Sequence, residues 1–275
     1  MPASFYDLPV YIALLMLFVA CNSISLFGFW FHKKYLNRVD NKDIVTKIVW
    51  QTVLFFSTVF ITFWIVTNWS NLGSLKQTTI KESNSIVQLY NDLDSFPKEP
   101  RNVLESKLSN YLNLVIDSEY NSLAKGKYNQ KVTDCYRDLV LSIYSYEPSG
   151  NLSSELRYNR ILAHLSELSD YRENRLSYVS GNLTGPLLFF FITMIVVGCF
   201  WTGFIDTRSF KFTLFIIMSQ NWIISSSTWL ILEMDKPFQG QFSVTNAPFI
   251  SAQKEIKLLK SYDYEKNQAS IPTVN

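Results

Sequence analysis

Residues Ile48 to Trp69 read IVWQTVLFFSTVFITFWIVTNW. These 22 residues include no Asp, Glu, Lys or Arg, and this absence of charge indicates the fold class. The hydrocarbon core of a bilayer is about 30 Å thick, and a helix rising about 1.5 Å per residue crosses it in roughly 20 residues. Three further stretches are uncharged and of similar length: Pro9 to Phe31, Pro186 to Ile205 and Phe212 to Leu232. The sequence therefore predicts a membrane protein with four transmembrane helices.

The composition predicts a sizeable polar region as well. The 275 residues are 48% hydrophobic and 16% aromatic, and only 17% are charged. More than half of the charges lie in residues 70–178, which hold 13 Lys and Arg and 14 Asp and Glu. We expect an all-α membrane protein with four transmembrane helices and a helical bundle inserted between helices two and three. The predicted boundaries are 9–69 for the first transmembrane hairpin, 70–180 for the bundle, 181–235 for the second hairpin, and 236–275 for a tail with a short amphipathic helix.

Apolar residues in the polar region recur at the three- and four-residue spacing of a buried helix face. Three such stripes predict three bundle helices, and they run from Leu104 to Leu123, from Val132 to Ile143 and from Tyr158 to Leu168. A weaker stripe through Ile80 and Leu93 precedes them. Since no strong turn signal falls between residues 153 and 186, we expect the last bundle helix to continue into the third span as one rod.

Charge and reactive residues exclude several classes of protein. The net charge is +2 and no basic run is longer than Lys33-Lys34, so the footprint of a nucleic-acid-binding protein is missing. The three cysteines, at positions 21, 135 and 199, and the two histidines lie far apart, without the spacing of a metal site or of a nucleophile and its base. The sequence predicts no enzyme, no metal site and no cofactor.

Polar residues inside the uncharged stretches mark candidate pore-lining positions. Gln51, Thr58 and Thr62 lie at offsets of 0, 7 and 11 on one helix face, and Ser219 and Ser226 are seven residues apart in the fourth stretch. One interpretation is a pore lined by neutral polar groups. The other is hydrogen bonding between helices, which holds the helices or several subunits together.

Charged residues near the span ends are candidates for a pore mouth or a gate. Arg172 and Arg175 lie three residues apart before the third span, where two guanidinium groups would attract anions. The alternative is an ion pair within one helix on a solvated face. Glu233 and Asp235 follow the fourth span and could bind a cation, gate a pore or anchor the helix end in the interface.

Three segments carry a family resemblance. The segment EMDKPFQG, Glu233 to Gly240, resembles the acid-x-Asp-basic-Pro-Phe-x-Gly signature that follows the last span in a bacterial bestrophin-like membrane family. Residues 111–127 resemble that family's Tyr-x3-Val-x3-Glu-aromatic stretch with its later Gly-basic pair, and residues 172–176 resemble its Arg-x2-Arg-Leu. The resemblance extends in order over most of residues 45–245.

The resemblance implies a function. Bestrophins are pentameric anion channels with four spans per subunit and an Asn-Pro-Phe-Gly-acidic segment after the last span. Here Lys236 replaces the Asn, and Gln239 separates Phe238 from Gly240, so calcium binding is not implied. Bestrophins also keep the middle segment in the cytoplasm.

Together these observations predict an integral protein of the bacterial plasma membrane, an oligomeric channel for anions or other small ions. Its expected partners are the lipid bilayer, small inorganic ions and further copies of itself. The resemblance implies that these copies form a pentamer. The alternative is a non-conducting membrane scaffold or sensor whose bundle binds a partner. Lys and Arg near the span ends number seven on the side of the 32–47 and 206–211 loops and five on the other, which favours an extracytoplasmic bundle.

Overall fold

A computed structural model of the chain describes residues 8–36, 42–148, 151–181, 185–205 and 209–269. Arg38 and Arg208 of the two basic loops lie outside these residues. Within them the chain is all-helical, with no strand. It divides into two compact units, which we call the membrane unit (Met1–Leu72 with Gly181–Phe242) and the bundle unit (Gly73–Ser180 with Ser243–Asn275).

The helices are numbered along the chain. They are α1 (Val10–Phe31), α2 (Lys42–Asp92), α3 (Lys98–Leu114), α4 (Tyr120–Ala124), α5 (Gln130–Tyr144), α6 (Leu152–Ser177), α7 (Gly185–Thr202), α8 (Phe210–Asp235) and α9 (Ala247–Ala269). In the described part of the chain α1, α2, α7 and α8 are long and apolar enough to cross a membrane, which confirms the four predicted spans. Short π-helical turns follow α1 (His32–Leu36) and α3 (Val115–Glu119), and 3₁₀ turns follow α2 (Leu93–Ser95) and α6 (Tyr178–Ser180).

The 51-residue α2 changes the expected connection between the spans and the bundle. At about 1.5 Å per residue it is roughly 75 Å long, more than twice the thickness of a hydrocarbon core. The weak stripe that begins at Ile80 therefore belongs to the helix of the second span and does not form a separate helix. The expected rod from the last bundle helix into the third span is wrong, because α6 ends at Ser177 and Gly181 has a φ of +77°, a left-handed conformation that ends helices.

Small residues allow close helix packing in the membrane unit. A Cβ atom on Gly28 of α1 would lie 2.3 Å from the carbonyl oxygen of Phe200 in α7, and one on Gly203 would lie 2.0 Å from the carbonyl oxygen of Ser25. Such contacts are typical of membrane helices, where packing replaces the hydrophobic effect between helices. The unit also holds an apolar cluster of Trp64, Phe191, Ile231 and Leu232.

The bundle unit has an apolar core on the predicted stripes, with Leu108, Leu139 and Leu165 almost fully buried. The tail adds to this core, because Phe249 of α9 is fully buried and Ile256 packs with it. Residues 243–269 belong to the bundle unit, and the domain boundaries drawn from the sequence stay predictions.

Candidate functional site

The predicted pore residues of α2 lie on one exposed face. Gln51, Thr58 and Thr62 are all exposed in the single chain. Because a helix turns by about 100° per residue, the three side chains fall within an arc of roughly 40°. The opposite face is interior, with Ser57, Trp64 and Asn68 buried. The structure thus separates a packed face of α2 from an uncovered polar one, which we call the α2 polar face (Gln51, Thr58, Thr62).

The predicted pore residues of α8 bond to their own helix. Ser219 is exposed and donates to the carbonyl oxygen of Ile216 at 2.9 Å. Ser226 is half-buried and donates to the carbonyl oxygen of Trp222 at 2.8 Å. Neither hydroxyl donates to another predicted pore residue. Their role as pore-lining groups stays a prediction.

Asn221 of α8, which is fully buried, makes side-chain hydrogen bonds to another span. Its Nδ2 donates to Asn22 Oδ1 at 3.1 Å and to Ser25 Oγ at 3.0 Å, joining α8 to α1. Ser25 Oγ also lies 2.7 Å from the carbonyl oxygen of Cys199 in α7. This group of neutral polar side chains, the Asn221 cluster (Asn22, Ser25, Asn221), is the interhelical hydrogen bonding that the sequence left as an alternative.

Glu233 and Asp235 lie at the end of α8, and each is only 5% exposed. The backbone N–H of Gln241 donates to Glu233 Oε1 at 2.5 Å. Gly240 has a φ of +69°, and a Cβ atom there would lie 2.0 Å from the same oxygen, so the turn requires glycine. Glu233 therefore holds the turn that follows α8. A gating role for Glu233 and Asp235 stays a prediction.

Arg175 is the centre of a buried polar cluster in the bundle unit. Its side chain has 0% exposure. Its Nε donates to Glu82 Oε2 at 2.6 Å, and its Nη2 donates to Glu82 Oε1 at 2.9 Å and to Glu119 Oε2 at 2.7 Å. A guanidinium that meets a carboxylate with two parallel bonds forms one of the strongest ion pairs in proteins. Arg175 thereby joins α6 to α2 and to the π-helical turn after α3.

Arg172, one turn earlier in α6, extends this cluster. Its Nη2 donates to Glu119 Oε1 at 3.3 Å and to Thr133 Oγ1 at 3.2 Å. Its Cζ lies 5.0 Å from the centre of the Tyr136 ring, within the range of a cation–π contact. The alternative of an exposed ion pair within one helix is wrong for both arginines, since the partners come from other elements. We call the four charged residues the Arg175 cluster (Glu82, Glu119, Arg172, Arg175).

The Arg175 cluster is electrically balanced, with two carboxylates facing two guanidinium groups. Burial alone would lower the pKa of Arg175, but the charges of Glu82 and Glu119 raise that pKa well above its ordinary value. Burial, and then the charge of Glu82, raises the pKa of Tyr111, whose hydroxyl donates to Glu82 Oε1 at 3.3 Å. Arg175 is therefore charged and Tyr111 neutral throughout the physiological pH range. The presence of the arginines at a pore mouth stays a prediction.

Sequence reasoning missed the acidic half of this cluster. The burial of the two arginines could have been predicted from the sequence, because their positions continue the buried stripe of α6. That stripe consists of Ile161, Leu165, Leu168, Arg172 and Arg175. Glu119 lies in the stretch that resembles the bestrophin-like family, but the π-helical turn that buries it has no sequence signature. Among the described residues, no group of three or more His, Cys, Asp or Glu side chains is placed to hold a metal ion.

Comparison with known proteins gave one family and several structures. Residues 16–249 match the model of the bestrophin-like domain. A crystal structure of a bacterial bestrophin homologue from Klebsiella pneumoniae has a TM-score of 0.67 at 12% identity, covering 90% of this chain and 97% of that chain. A mutant of a bacterial bestrophin homologue from Klebsiella pneumoniae has a TM-score of 0.66 at 13% identity, with the same coverage. No curated protein sequence matches. At these identities the structures show a shared fold.

Proposed function

Because the chain belongs to the bestrophin-like family, we propose that it assembles into a membrane channel that passes small anions. The family membership rests on a match over most of the chain, and the fold of the bacterial bestrophin homologue supports it.

The observation that carries the proposal is the α2 polar face. In hydrocarbon, an amide or hydroxyl group is costly unless another helix or water satisfies it. Gln51, Thr58 and Thr62 are exposed in the single chain, although they lie in a helix that is apolar enough to cross a membrane. A water-filled pathway bounded by several copies of α2 would satisfy all three. Neutral groups at these positions suit a weakly selective ion pathway better than a proton relay, which needs titratable groups.

Assembly of several copies has support from the bundle unit. Leu258 and Tyr262 of α9 line one pocket on its surface and are 69% and 68% exposed. Contiguous exposed apolar surface outside a membrane usually marks an interface. We propose a homo-oligomer, and the family resemblance implies a pentamer. Native mass spectrometry of the protein in detergent tests this number directly.

The proposed location is the bacterial plasma membrane, where two arguments on orientation disagree. The count of Lys and Arg in the short loops favours an extracytoplasmic bundle, but by seven to five only. The resemblance to bestrophins, which keep the middle segment in the cytoplasm, favours a cytoplasmic bundle. We propose the cytoplasmic orientation. A cysteine in place of exposed Ser166, with Cys135 replaced by alanine, should react with a membrane-impermeant maleimide only in broken cells, and labelling of intact cells would support the charge count.

The charged candidates receive different proposed roles. Because Glu82 and Glu119 neutralise Arg172 and Arg175, we propose that these arginines keep the bundle folded and do not attract ions. Glu233 holds the turn after α8, so we propose that it affects how often the channel opens. Glu233→Gln should then change the open probability while single-channel conductance stays the same.

Planar-bilayer recording of the purified full-length protein tests the channel itself. With a chloride gradient across the bilayer, we expect a current whose reversal potential is shifted from zero toward the chloride equilibrium potential but does not reach it, as for a weakly selective anion pathway. Protein that has been heat-denatured before reconstitution is the control. If the native protein gives no current above this control over a range of salts and voltages, the channel proposal is wrong and a non-conducting scaffold or sensor is the better account.

A further inference from the structure

The membrane unit carries an apolar groove between α1 and α7 on its outer surface. The groove measures about 490 Å³, within the size range of ligand sites in proteins. Its lining is apolar apart from one hydroxyl and one indole, and consists of Ser23, Ile24, Phe27, Val196, Val197, Phe200 and Trp201. The Ser23 hydroxyl donates to the carbonyl oxygen of Val19 at 2.8 Å and so needs no partner from the groove. The groove is therefore suited to a hydrocarbon chain.

Two lysines at the C-terminal end of α1 lie near this groove. The ring of Phe27, in the groove wall, lies 5.9 Å from the ring of Trp30. The ammonium group of Lys34 lies 4.7 Å from the centre of the Trp30 ring and 5.2 Å from that of Tyr35. Lys33 lies over Phe29 in the same way, at 5.5 Å. These cation–π contacts hold two ammonium groups at the end of α1, within about two helical turns of the groove.

We propose that the groove and the two lysines form a binding site for an anionic phospholipid. The phosphate of the headgroup would lie against Lys34, and one acyl chain would extend past Trp30 into the groove. Lys33 lies over Phe29, whose ring packs against Phe210 of α8, and would add positive charge beside the site. Aromatic residues at this level are typical of the membrane interface, and an ammonium group at close range attracts the negative charge of an anionic headgroup. In a ring a second copy of the chain would meet the groove with a different face, so the observation that favours a lipid is the ammonium group of Lys34 beside the groove, which is complementary to an anionic headgroup. The inference concerns lipid binding and holds whether or not the protein conducts ions.

Native mass spectrometry of the full-length protein tests the site, with phosphatidylglycerol and phosphatidylcholine as the two added lipids. We expect more phosphatidylglycerol than phosphatidylcholine to stay bound. The variant Lys33→Gln with Lys34→Gln should bind phosphatidylglycerol roughly 25-fold more weakly, because each lysine near a lipid surface changes affinity by about five-fold. The matched control is Lys125→Gln with Lys127→Gln, two exposed lysines of the bundle unit, which should bind as the wild type does. Equal binding by the two double variants would overturn the proposal.

Two further experiments identify the molecule that binds in the groove. Val197→Trp fills the groove and should reduce phosphatidylglycerol binding while the mass of the oligomer stays the same. If this variant lowers the number of subunits, the groove is an interface between copies and the lipid proposal is wrong. Glycerophosphoglycerol, the headgroup without acyl chains, should fail to displace the lipid at equal concentration. If it displaces the lipid as well as the intact lipid does, the site binds phosphate groups alone and the groove has no part in it.

Discussion

The Arg175 cluster of the bundle unit and the Asn221 cluster of the membrane unit satisfy buried polar groups in two different ways. Arg175 and Asn221 are both fully buried, and both join elements far apart in the sequence. In the bundle the partners are charged carboxylates, whereas in the membrane unit they are amides and hydroxyls. The buried charges of the bundle lie against opposite charges, although Arg172 Nε and Arg175 Nη1 have no hydrogen-bond partner among the described residues, whereas the spans are joined by weaker bonds between neutral groups.

The two clusters should therefore differ in energy. Removing one partner of a buried ion pair leaves an uncompensated charge, at a cost of about 3–5 kcal/mol. Hydrogen bonds between membrane helices contribute on average only about 0.6 kcal/mol, because the separated helices find other partners.

Arg175→Met should have the largest effect, because it leaves Glu82 without its bidentate partner and removes one of the arginines bound to Glu119. We expect the free energy of unfolding to fall by about 3–5 kcal/mol. The measurement is denaturant unfolding in detergent, followed by circular dichroism. The control is Arg137→Met, whose side chain is 71% exposed and pairs with Asp134 within one helix, where about 0.5 kcal/mol or less is expected. Equal losses of unfolding free energy in the two variants would show that the buried ion pair contributes no more than an exposed one.

Gly240→Ala tests the turn that Glu233 holds in the membrane unit. The new Cβ would collide with the Glu233 carboxylate, and the residue would be held at a φ of +69°. We expect a loss of about 1–3 kcal/mol from this strain. Gly73→Ala is the matched control, since that glycine lies inside α2 with open space around it and alanine should stabilise the helix by about 0.5–1 kcal/mol. Thermal unfolding of both variants gives the comparison, and a stable Gly240→Ala protein would mean that the turn tolerates a side chain.

Alkaline pH should weaken the bundle unit through Tyr111. Burial raises the pKa of its hydroxyl above the ordinary value of 10.0. Below about pH 10 the folded and unfolded chains both hold this proton, so the stabilisation is complete there. Above that pH the unfolded chain loses the proton first, and the free energy of unfolding falls by about 1.4 kcal/mol per pH unit for this group.

The tyrosine contribution is isolated by comparing variants at pH 9 to 11. Tyr111→Phe should unfold with a smaller pH slope than the wild type. Tyr128→Phe, at a residue that is 62% exposed, should keep the wild-type slope. Identical slopes in all three proteins would show that the buried hydroxyl does not titrate on unfolding.

Asn221→Leu should have the smallest effect, although Asn221 bonds to both Asn22 and Ser25. We expect a loss of about 0.6 kcal/mol, and no more than about 1.7 kcal/mol, as for other hydrogen bonds between membrane helices. Ser219→Ala, which removes a bond within α8 only, is the control and should be near neutral. A loss as large as that of Arg175→Met would contradict the expected difference in energy between the Arg175 cluster and the Asn221 cluster.

The parts of the structure that could be predicted are those with a local physical signal. Four uncharged stretches were sufficient to predict the spans, because a bilayer demands length and apolarity from each helix separately. The pairing of Arg175 with Glu82 could not be predicted, since 93 residues separate them and the sequence offers several other acids. The continuous α2 was missed for a related reason: a helix that leaves a membrane changes its composition but needs no break in its backbone.

For the candidate pore residues, too, the sequence predicted only part of the structure. The spacing of Gln51, Thr58 and Thr62 was enough to place them on one face, and the structure adds that this face is uncovered in the single chain. In α8 the spacing of Ser219 and Ser226 was equally regular, but Asn221, outside that pattern, makes the contact with α1. Spacing predicts a shared face and does not predict which face meets a neighbour.

The most direct test of the central claim is cysteine accessibility along α2 during planar-bilayer recording. Thr58→Cys and Thr62→Cys are made in a background with alanine in place of Cys21, Cys135 and Cys199. The control is Phe56→Cys, at a residue that is 60% exposed and lies roughly 160° around the helix from Thr58. The account predicts that a charged methanethiosulfonate reagent reduces the current through the two threonine variants and leaves the phenylalanine variant unchanged. Unchanged current at Thr58 and Thr62, or a reduction at Phe56 alone, would contradict it.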